Sequence, residues 1–154
     1  MKVQIVNRYV QAAVEVIGKE TGQPVGRGGI HLEGNPYTTE DVTAVIGVTG
    51  QLTGSIYLSM AHDVALTLIS SVLGQKSSEL DELAQSGIAE MANVIAGTAG
   101  INLESDGVST TINPPMVLVG RGARLTTLEI QRLVVPLATS CGELNLHVSL
   151  REAA

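Results

Sequence analysis

Aromatic side chains are nearly absent from this sequence, which has three Tyr and no Phe or Trp among its 154 residues. The core must therefore be aliphatic, and a hydrophobic content of 44% is enough for a single domain over residues 1–154. Few aromatics also means no stacking platform for nucleic-acid bases. The nine Lys and Arg are scattered and the net charge is −6, so nucleic acid is not an expected partner.

Cysteine and long apolar runs are scarce as well. Cys141 is the single cysteine, which excludes an internal disulfide and fits a reducing compartment. No apolar run approaches the ~20 residues that cross a bilayer, and the N-terminal segment lacks the features of a signal peptide. The sequence therefore predicts a cytoplasmic protein that does not contact the membrane.

Residue sets that support metal or covalent chemistry are missing too. His31, His62 and His147 show no metal-ligand spacing, and we expect them to be solvated or hydrogen-bonded, with no metal site. The Gly-rich segment 22–29 lacks the Lys and Ser/Thr of a phosphate-binding loop. The Ser-Cys pair at 140–141 has no nucleophile elbow around it. A small-molecule hydrolase therefore has no nucleophile or metal set to support it.

Hydrophobic periodicity predicts three helices. The first covers 7–22, the second covers 61–74, and the third carries the stretch SGIAEMANVIAGTAG at 86–100. Ser78, three residues before Asp81, is predicted to cap the third helix.

Alternating patterns and turn residues predict the strands. We expect a short strand plus loop over 23–41, a hairpin over 42–60, an edge or bent strand over 109–120, and a final hairpin from 125–140 and 142–150. In the final hairpin both strands are long and apolar.

A weak internal repeat runs through the chain. Gly54–Met60 matches Gly142–Val148 in its glycine and its alternate apolar positions, and 14–22 aligns with 92–100. Each half would be a helix followed by a group of strands. The sequence therefore predicts an α+β fold of two duplicated halves, with a mainly antiparallel sheet and helices packed on one face.

The third helix carries a polar strip on an otherwise apolar segment. At ~100° per residue, Ser86, Glu90, Asn93 and Gly97 fall within about 60° of one another. The opposite side is apolar and is predicted to be buried: Ile88, Met91, Ala92, Ile95 and Ala99. Spacing alone leaves two interpretations open, of which the simpler is a solvated face. The other is a working surface on which a carboxylate and an amide meet a partner.

The repeat does not duplicate this polar strip. In the first helix, the alignment places Arg8, Ala12 and Glu15 where the third has Ser86, Glu90 and Asn93. A purely structural wet face has no need to differ in this way, although ordinary divergence produces the same result.

The stretch SGIAEMANVIAGTAG resembles the signature of the CheC/CheX family of chemotaxis phosphatases. That motif is Asp or Ser, three residues, Glu, two residues and Asn, and it is complete here as Ser86, Glu90 and Asn93. The likeness extends along the chain. The segment 7–17 is similar to the family's first helix, and 41–60 is similar to its Gly-punctuated hairpin. The segment 112–120 is similar to its Pro-Pro strand. A single motif places the chain nearer the CheX type, whose members form homodimers.

The resemblance implies a phosphatase that hydrolyses the aspartyl phosphate of a CheY-like receiver domain. Asn93 would position the attacking water and Glu90 would pair with the receiver's active-site Lys. Ser86 would be a supporting contact, and Gly97 would let the helix approach closely. No covalent intermediate and no cofactor on this chain are implied, and Mg²⁺ is expected in the receiver.

A different class of function remains open on the same fold: a non-catalytic module that binds receiver or flagellar-switch proteins. A homodimer is expected through sheet edges or the strands near the Pro-Pro segment, because long apolar final strands would pair if they were exposed edges.

Overall fold

The computed structural model describes residues 3–34, 36–126 and 130–153. Its helices are α1 Val3–Thr21, α2 His62–Leu73 and α3 Glu82–Ser105. The strands of these segments are β1 Gly26–Arg27, β2 His31–Glu33, β3 Tyr37–Thr38, β4 Val42–Gly50, β5 Leu52–Met60, β6 Thr110–Ile112, β7 Met116–Val119, β8 Arg124–Leu125, β9 Arg132–Thr139 and β10 Gly142–Glu152.

One antiparallel sheet organises the molecule. Its strand order is β1-β9-β10-β5-β4-β6, with β2 also pairing with β9 and β7 also pairing with β4. A separate pair, β3 and β8, forms a small second sheet. The predicted α+β class with a mainly antiparallel sheet is confirmed.

The two halves of the chain are related and interlocked. Strands β1 and β2 follow α1, and both pair with β9 of the second half. Strands β6 and β7 follow α3, and both pair in the same way with β4 of the first half. At the centre β5 pairs with β10, from Leu144 opposite Met60 to Glu152 opposite Leu52. The duplication read from the sequence is therefore visible in the strand pairing.

Gly54 and Gly142, the two glycines that align in the internal repeat, are both required by the conformation of their backbone. Gly54 and Gly142 adopt φ angles of 142° and 126°, which side-chain-bearing residues rarely adopt. A Cβ on Gly54 would collide with the carbonyl oxygen of Ser149 on the neighbouring strand. A Cβ on Gly142 would lie 2.6 Å from a methyl of Val64 in α2. Both central strands therefore require glycine near their beginning.

The three helices cover one face of the sheet, as predicted. Side chains alternate along a strand, so every second residue of the four long strands points at the helices. These residues join the buried faces of α1, α2 and α3 in one aliphatic cluster that includes Val42, Ala44, Ile46, Ile56, Leu58, Leu137, Leu144, Leu146 and Val148. None of the helices in the described segments is both long and apolar enough to cross a membrane.

The opposite face of the sheet holds a buried polar layer beneath β3 and β8. Tyr37 of β3 stacks on Tyr57 of β5 with ring centroids 5.7 Å apart. Ser59 and His147 are buried beside them, with the Ser59 hydroxyl 2.8 Å from Nε2 of His147. Arg132 is buried there too and lies over the Tyr37 ring. The β3–β8 pair thus covers a buried layer in which Ser59, His147 and Arg132 hydrogen-bond in sequence.

The hydrogen bonds fix the tautomer of His147. Arg132 Nη1 donates to His147 Nδ1 at 2.9 Å, so the ring carries its proton on Nε2. Nε2 then donates to Ser59, whose hydroxyl donates to Glu40 Oε1 at 2.9 Å. Burial, followed by the nearby Arg132 charge, lowers the pKa of His147 to about 3. The histidine is therefore neutral and already committed at both nitrogens.

Several local predictions need correction. The first helix begins at Val3, four residues before its predicted start. Asp81, and not Ser78, caps α3, because the Asp81 side chain accepts from the Ala84 N–H at 2.9 Å. The segment 23–41, predicted to be one short strand plus a loop, contains three short strands, β1, β2 and β3.

The final hairpin also differs from the prediction. The predicted strand 125–140 is divided, because Leu125 ends β8, which pairs with β3, and β9 starts only at Arg132. Its central part, 127–129, lies outside the described residues. The final strands are not edges either: β10 is central, and β9 is covered by β1 and β2. The halves exchange their short strands, which removes the stated reason for dimerisation through the last hairpin.

We expect His147 to make folding stability fall as the pH drops below 6.5. Its pKa is about 3 in the fold against its ordinary 6.5, so between these values the unfolded chain binds the extra proton. The free energy of unfolding should fall by about 1.4 kcal/mol per pH unit in that window.

Urea unfolding between pH 7 and pH 4.5 measures this slope. That range stays above the lowered pKa values of Asp41 and Asp106, whose contributions are lost only in stronger acid. The His147→Gln variant, although less stable, should show a flatter dependence. An equal slope in both proteins would assign the acid sensitivity to other groups.

Candidate functional site

Helix α3 is held with one side against the core. The stripe predicted to be buried is buried in full: Ile88, Met91, Ala92, Ile95 and Ala99 are each at most 5% exposed. Gly87 allows close contact with α2, because a Cβ there would collide with Cδ1 of Ile69. Packing on these two sides fixes the rotation of the helix about its axis, and with it the direction of the polar strip.

The polar strip faces away from the core. Ser86 and Glu90 are exposed, and Asn93 and Gly97 are half-buried. Within the described part of the chain, the side chains of Ser86, Glu90 and Asn93 make no hydrogen bond or ion pair. A carboxylate and an amide three residues apart on a rigid helix are thus available to an external partner.

The surface around Gly97 is open. A Cβ placed on Gly97 would meet nothing within 4 Å. The fold therefore does not require glycine here, unlike at Gly87 one face away. A bare backbone between Asn93 and the end of the helix leaves room for a partner to come close.

Helix α1 has no equivalent site. Ala12, aligned with Glu90, is fully buried, so the surface at this position is closed. Arg8, aligned with Ser86, is engaged through Nε and Nη2 by the two oxygens of Asp106, at 2.7 and 2.6 Å. This pair holds the pKa of Asp106 below its usual value. A Glu introduced by Ala12→Glu would be a buried carboxylate, so this position cannot form a second site.

Asp106 follows the last residue of α3 and is exposed. It ties the end of α3 to the start of α1 through its ion pair with Arg8. The contact lies well beyond the polar strip and anchors the far end of the helix.

Helix α3 carries no basic side chain of its own. The chain has no Lys or Arg between Lys76 and Arg121, a segment that contains all of α3. Glu90 therefore has no cation of its own helix to pair with. A partner that supplies a cation would satisfy it, whereas a free phosphate would find no positive group on this helix.

The histidines and the Ser140–Cys141 pair do not form a catalytic or metal site in the described residues. His147 is buried and satisfied at both nitrogens, and His31 is exposed and 3.0 Å from Glu33. Ser140 contacts only the thiol of Cys141, at 4.0 Å, among the described side chains. No group of three or more His, Cys, Asp and Glu in the described residues could hold a metal ion.

Open grooves exist, but away from the strip. One of about 650 Å³ lies where the start of α1 meets the end of α3, lined by Arg8, Gln11 and Leu103 among others. Another lies along β1 and β9. Neither includes the polar strip, which lies on a convex helix surface. Such a surface suits insertion into a partner's cleft better than binding of a small molecule.

Sequence reasoning missed three apolar side chains beside the strip. Leu83, Val94 and Ile101 are 54%, 42% and 69% exposed on α3. Their position on the helical wheel, next to Glu90, was readable from the sequence. Their exposure was not, because an apolar residue in an apolar helix is ordinarily assigned to the core.

Known proteins are similar to this chain in both sequence and fold. The family model for the chemotaxis phosphatase CheX matches residues 42–138. CheY-P phosphatase CheX of Thermotoga maritima is 30% identical over 153 residues, covering 98% of both chains. A CheC-like superfamily protein from Shewanella sp. PV-4 superposes with a TM-score of 0.88 at 21% identity, covering 98% of this chain and 99% of that one.

A third similar structure is the CheX–CheY–BeF3–Mg²⁺ complex from Borrelia burgdorferi. Its matched chain superposes with a TM-score of 0.84 at 20% identity, covering 98% of this chain and 100% of that one. At these identities the two structures establish the fold, while the family model and the Thermotoga relative establish the kinship. The chain, with its outward Ser86–Glu90–Asn93 strip on α3, belongs to the CheX family of chemotaxis phosphatases.

Proposed function

We propose that this protein hydrolyses the aspartyl phosphate of a CheY-like receiver domain in chemotaxis signalling. The observation that carries the proposal is the unpaired Glu90–Asn93 couple facing out from a convex, core-anchored helix. The family relationship supports the same conclusion, since the Thermotoga relative is named a CheY-P phosphatase and the Borrelia structure pairs CheX with CheY.

Asn93 is the group proposed to position water. An aspartyl phosphate is already reactive, so hydrolysis requires a water molecule held in line with the phosphorus and not a nucleophile on the phosphatase. A carboxamide both donates and accepts hydrogen bonds, so it can hold the water in a defined orientation. The half-buried Asn93 lies between Ala92 and Ile95, which are buried in the core, and this limits the motion of its backbone.

Glu90 is proposed to fix the register of the complex. Its carboxylate has no partner in the described chain and would pair with the receiver's active-site Lys. Ser86 lies one turn before Glu90 and would add a supporting contact, and Gly97 would admit the receiver surface. Mg²⁺ would be held by the receiver, and in this mechanism the phosphatase itself contributes no cofactor. The reaction would take place in the cytoplasm.

Replacing Asn93 by Ala should lower receiver dephosphorylation about 10²–10³-fold, because one positioning group is lost from the transition state. The side chain is half-buried and unpaired, so the fold should be retained. The measurement is phosphate release from a phosphorylated receiver domain of the same genome.

Glu15→Ala on α1 is the matched control. Glu15 occupies the position aligned with Asn93, is exposed, and should leave the rate unchanged. Equal losses in both folded variants would overturn the single-site mechanism. A wild-type protein that binds the receiver without releasing phosphate would instead identify a non-catalytic binding module.

Glu90→Ala should weaken binding more than it slows the bound-state reaction. A surface carboxylate that meets a partner's cation acts mainly through association and register, so affinity should fall about tenfold. Titration with a receiver that carries a phosphate mimic gives the affinity. The rate of dephosphorylation at saturating phosphorylated receiver gives the bound-state rate. Unchanged affinity would remove Glu90 from its proposed role.

We further propose a homodimer through the β7 edge. In the described part of the chain β7 has one strand neighbour, β4, and it exposes Met116 by 56% and Val119 by 51%. An exposed apolar edge strand invites pairing with a second copy. The Pro114–Pro115 pair immediately precedes this strand, which matches the location expected from the sequence.

The variant Met116→Lys with Val119→Lys should convert the dimer to a monomer in analytical ultracentrifugation at micromolar concentration, since edge lysines oppose strand pairing. Leu32→Lys on β2, at the other side of the sheet and 61% exposed, is the control. Dissociation caused by the control alone would move the interface to that side, and a monomeric wild type would contradict the proposal.

A further inference from the structure

The exposed apolar side chains of the helices are not distributed evenly. Leu83, Val94 and Ile101 all lie on α3, and the other large hydrophobic exposed on a described helix is Val3, at the first residue of α1. The exposed positions of α2 carry only polar side chains: His62, Asp63, Thr67 and Ser71. Single exposed hydrophobics are ordinary on a protein surface, whereas a contiguous group of them marks a candidate interaction site.

These three residues, here called the apolar stripe, run along the polar strip. At ~100° per residue they lie within about 40° of Glu90 around the helix axis. Leu83 precedes Ser86 by three residues, Val94 directly follows Asn93, and Ile101 follows Gly97 by four. Within the stripe, Val94 follows Leu83 by eleven residues and Ile101 follows Val94 by seven, which are about three and two helical turns. The three side chains therefore share one face, as in a helix that lays an apolar face into a partner's groove.

The fold itself does not use the apolar stripe. None of its members belongs to the aliphatic core cluster, which takes its α3 contacts from the opposite side of the helix. Where α1 is exposed along its length it carries Gln4, Gln11 and Glu15. The related helix therefore shows that a solvated helix face in this fold can be built from polar side chains.

Charge on α3 can supply little of the binding energy for a partner. Because no Lys or Arg occurs between Lys76 and Arg121, Glu90 offers attraction to one cation and the rest of α3 offers none to an acidic or phosphorylated surface. A stable protein contact buries about 800 Å² per partner, far more than Glu90 and Asn93 can contribute. Apolar contact is the further source that the exposed face of α3 offers.

We propose that the apolar stripe is the affinity-determining contact for the phosphorylated receiver domain. The inference rests on the proposed function and adds which residues hold the substrate. The stripe runs about 27 Å along α3, at 1.5 Å per residue, and Glu90 and Asn93 lie between its two ends. A receiver contact of ordinary size, about 800 Å² per partner, is broad enough to cover that length, so the stripe is continuous with the reacting site. Glu90 and Asn93 then provide register and chemistry, while Leu83, Val94 and Ile101 provide most of the affinity.

The test separates affinity from turnover. Val94→Gln with Ile101→Gln, at exposed positions, keeps good helix formers and the fold. We expect the half-saturating receiver concentration to rise about tenfold for each side chain lost, because burial of one Val or Ile is worth about that factor. The rate at saturating receiver should stay within about twofold of wild type, in contrast to Asn93→Ala.

The second measurement is the affinity for a receiver domain that carries beryllofluoride and Mg²⁺ as a phosphate mimic. The matched control is Leu32→Gln, which replaces an exposed apolar residue outside the stripe. Leu32 is 61% exposed on β2 and should leave affinity unchanged. One outcome separates the two proposals. If wild type binds the receiver–beryllofluoride complex tightly and the double variant binds it weakly, the docking inference holds. If, in addition, neither protein hydrolyses the phosphorylated receiver, the proposed function fails. Unchanged affinity in the double variant, with normal hydrolysis in wild type, overturns the inference alone. A variant that lowers the sedimentation mass while binding the receiver normally would assign the stripe to self-association and also overturn it.

Discussion

The antiparallel pairing of β5 with β10 is the contact on which the remaining structure depends. It joins the two halves of the chain along nearly the full length of both strands. Because side chains alternate along a strand, this one register decides which residues face the helices and which face β3 and β8. A shift by one residue would turn Ile56 and Val148 away from the core and place Tyr57 and His147 in it. The positions required to be glycine, Gly54 and Gly142, lie at the start of these strands.

The site follows from the helix layer that this register creates. Once α3 buries its Ile88–Ile95 side against the sheet and fits Gly87 against Ile69 of α2, its outward face is determined. Glu90 and Asn93 then project from a rigid backbone whose folding was driven by residues on the other side. The residues that stabilise the fold and the candidate site therefore lie on opposite faces of one helix. For this reason a substitution on the outward face is expected to change function while leaving the fold unaltered.

The two halves have diverged in what their helices present. Helix α1 is part of the same architecture, yet its Ala12 is enclosed and its Arg8 is held by Asp106 from the end of α3. The ion pair joins the two helices at a point distant from the polar strip. One helix has become internal support, and the other keeps a free face. The chain therefore has one candidate site in a nearly two-fold framework.

The α+β class, the duplicated halves, the buried side of α3 and the motif Ser86–Glu90–Asn93 could all be predicted from the residues. These are local or periodic features, and a 3.6-residue period or a glycine near a strand start is visible in the chain alone. Which strands are edges depends on long-range pairing, because β1, β2, β6 and β7 pair across the halves. The tertiary structure also decided that Ala12 is closed, that Asp106 is paired, and that Leu83, Val94 and Ile101 stay exposed. Exposure depends on what packs against a residue from distant parts of the chain, and no local pattern records that.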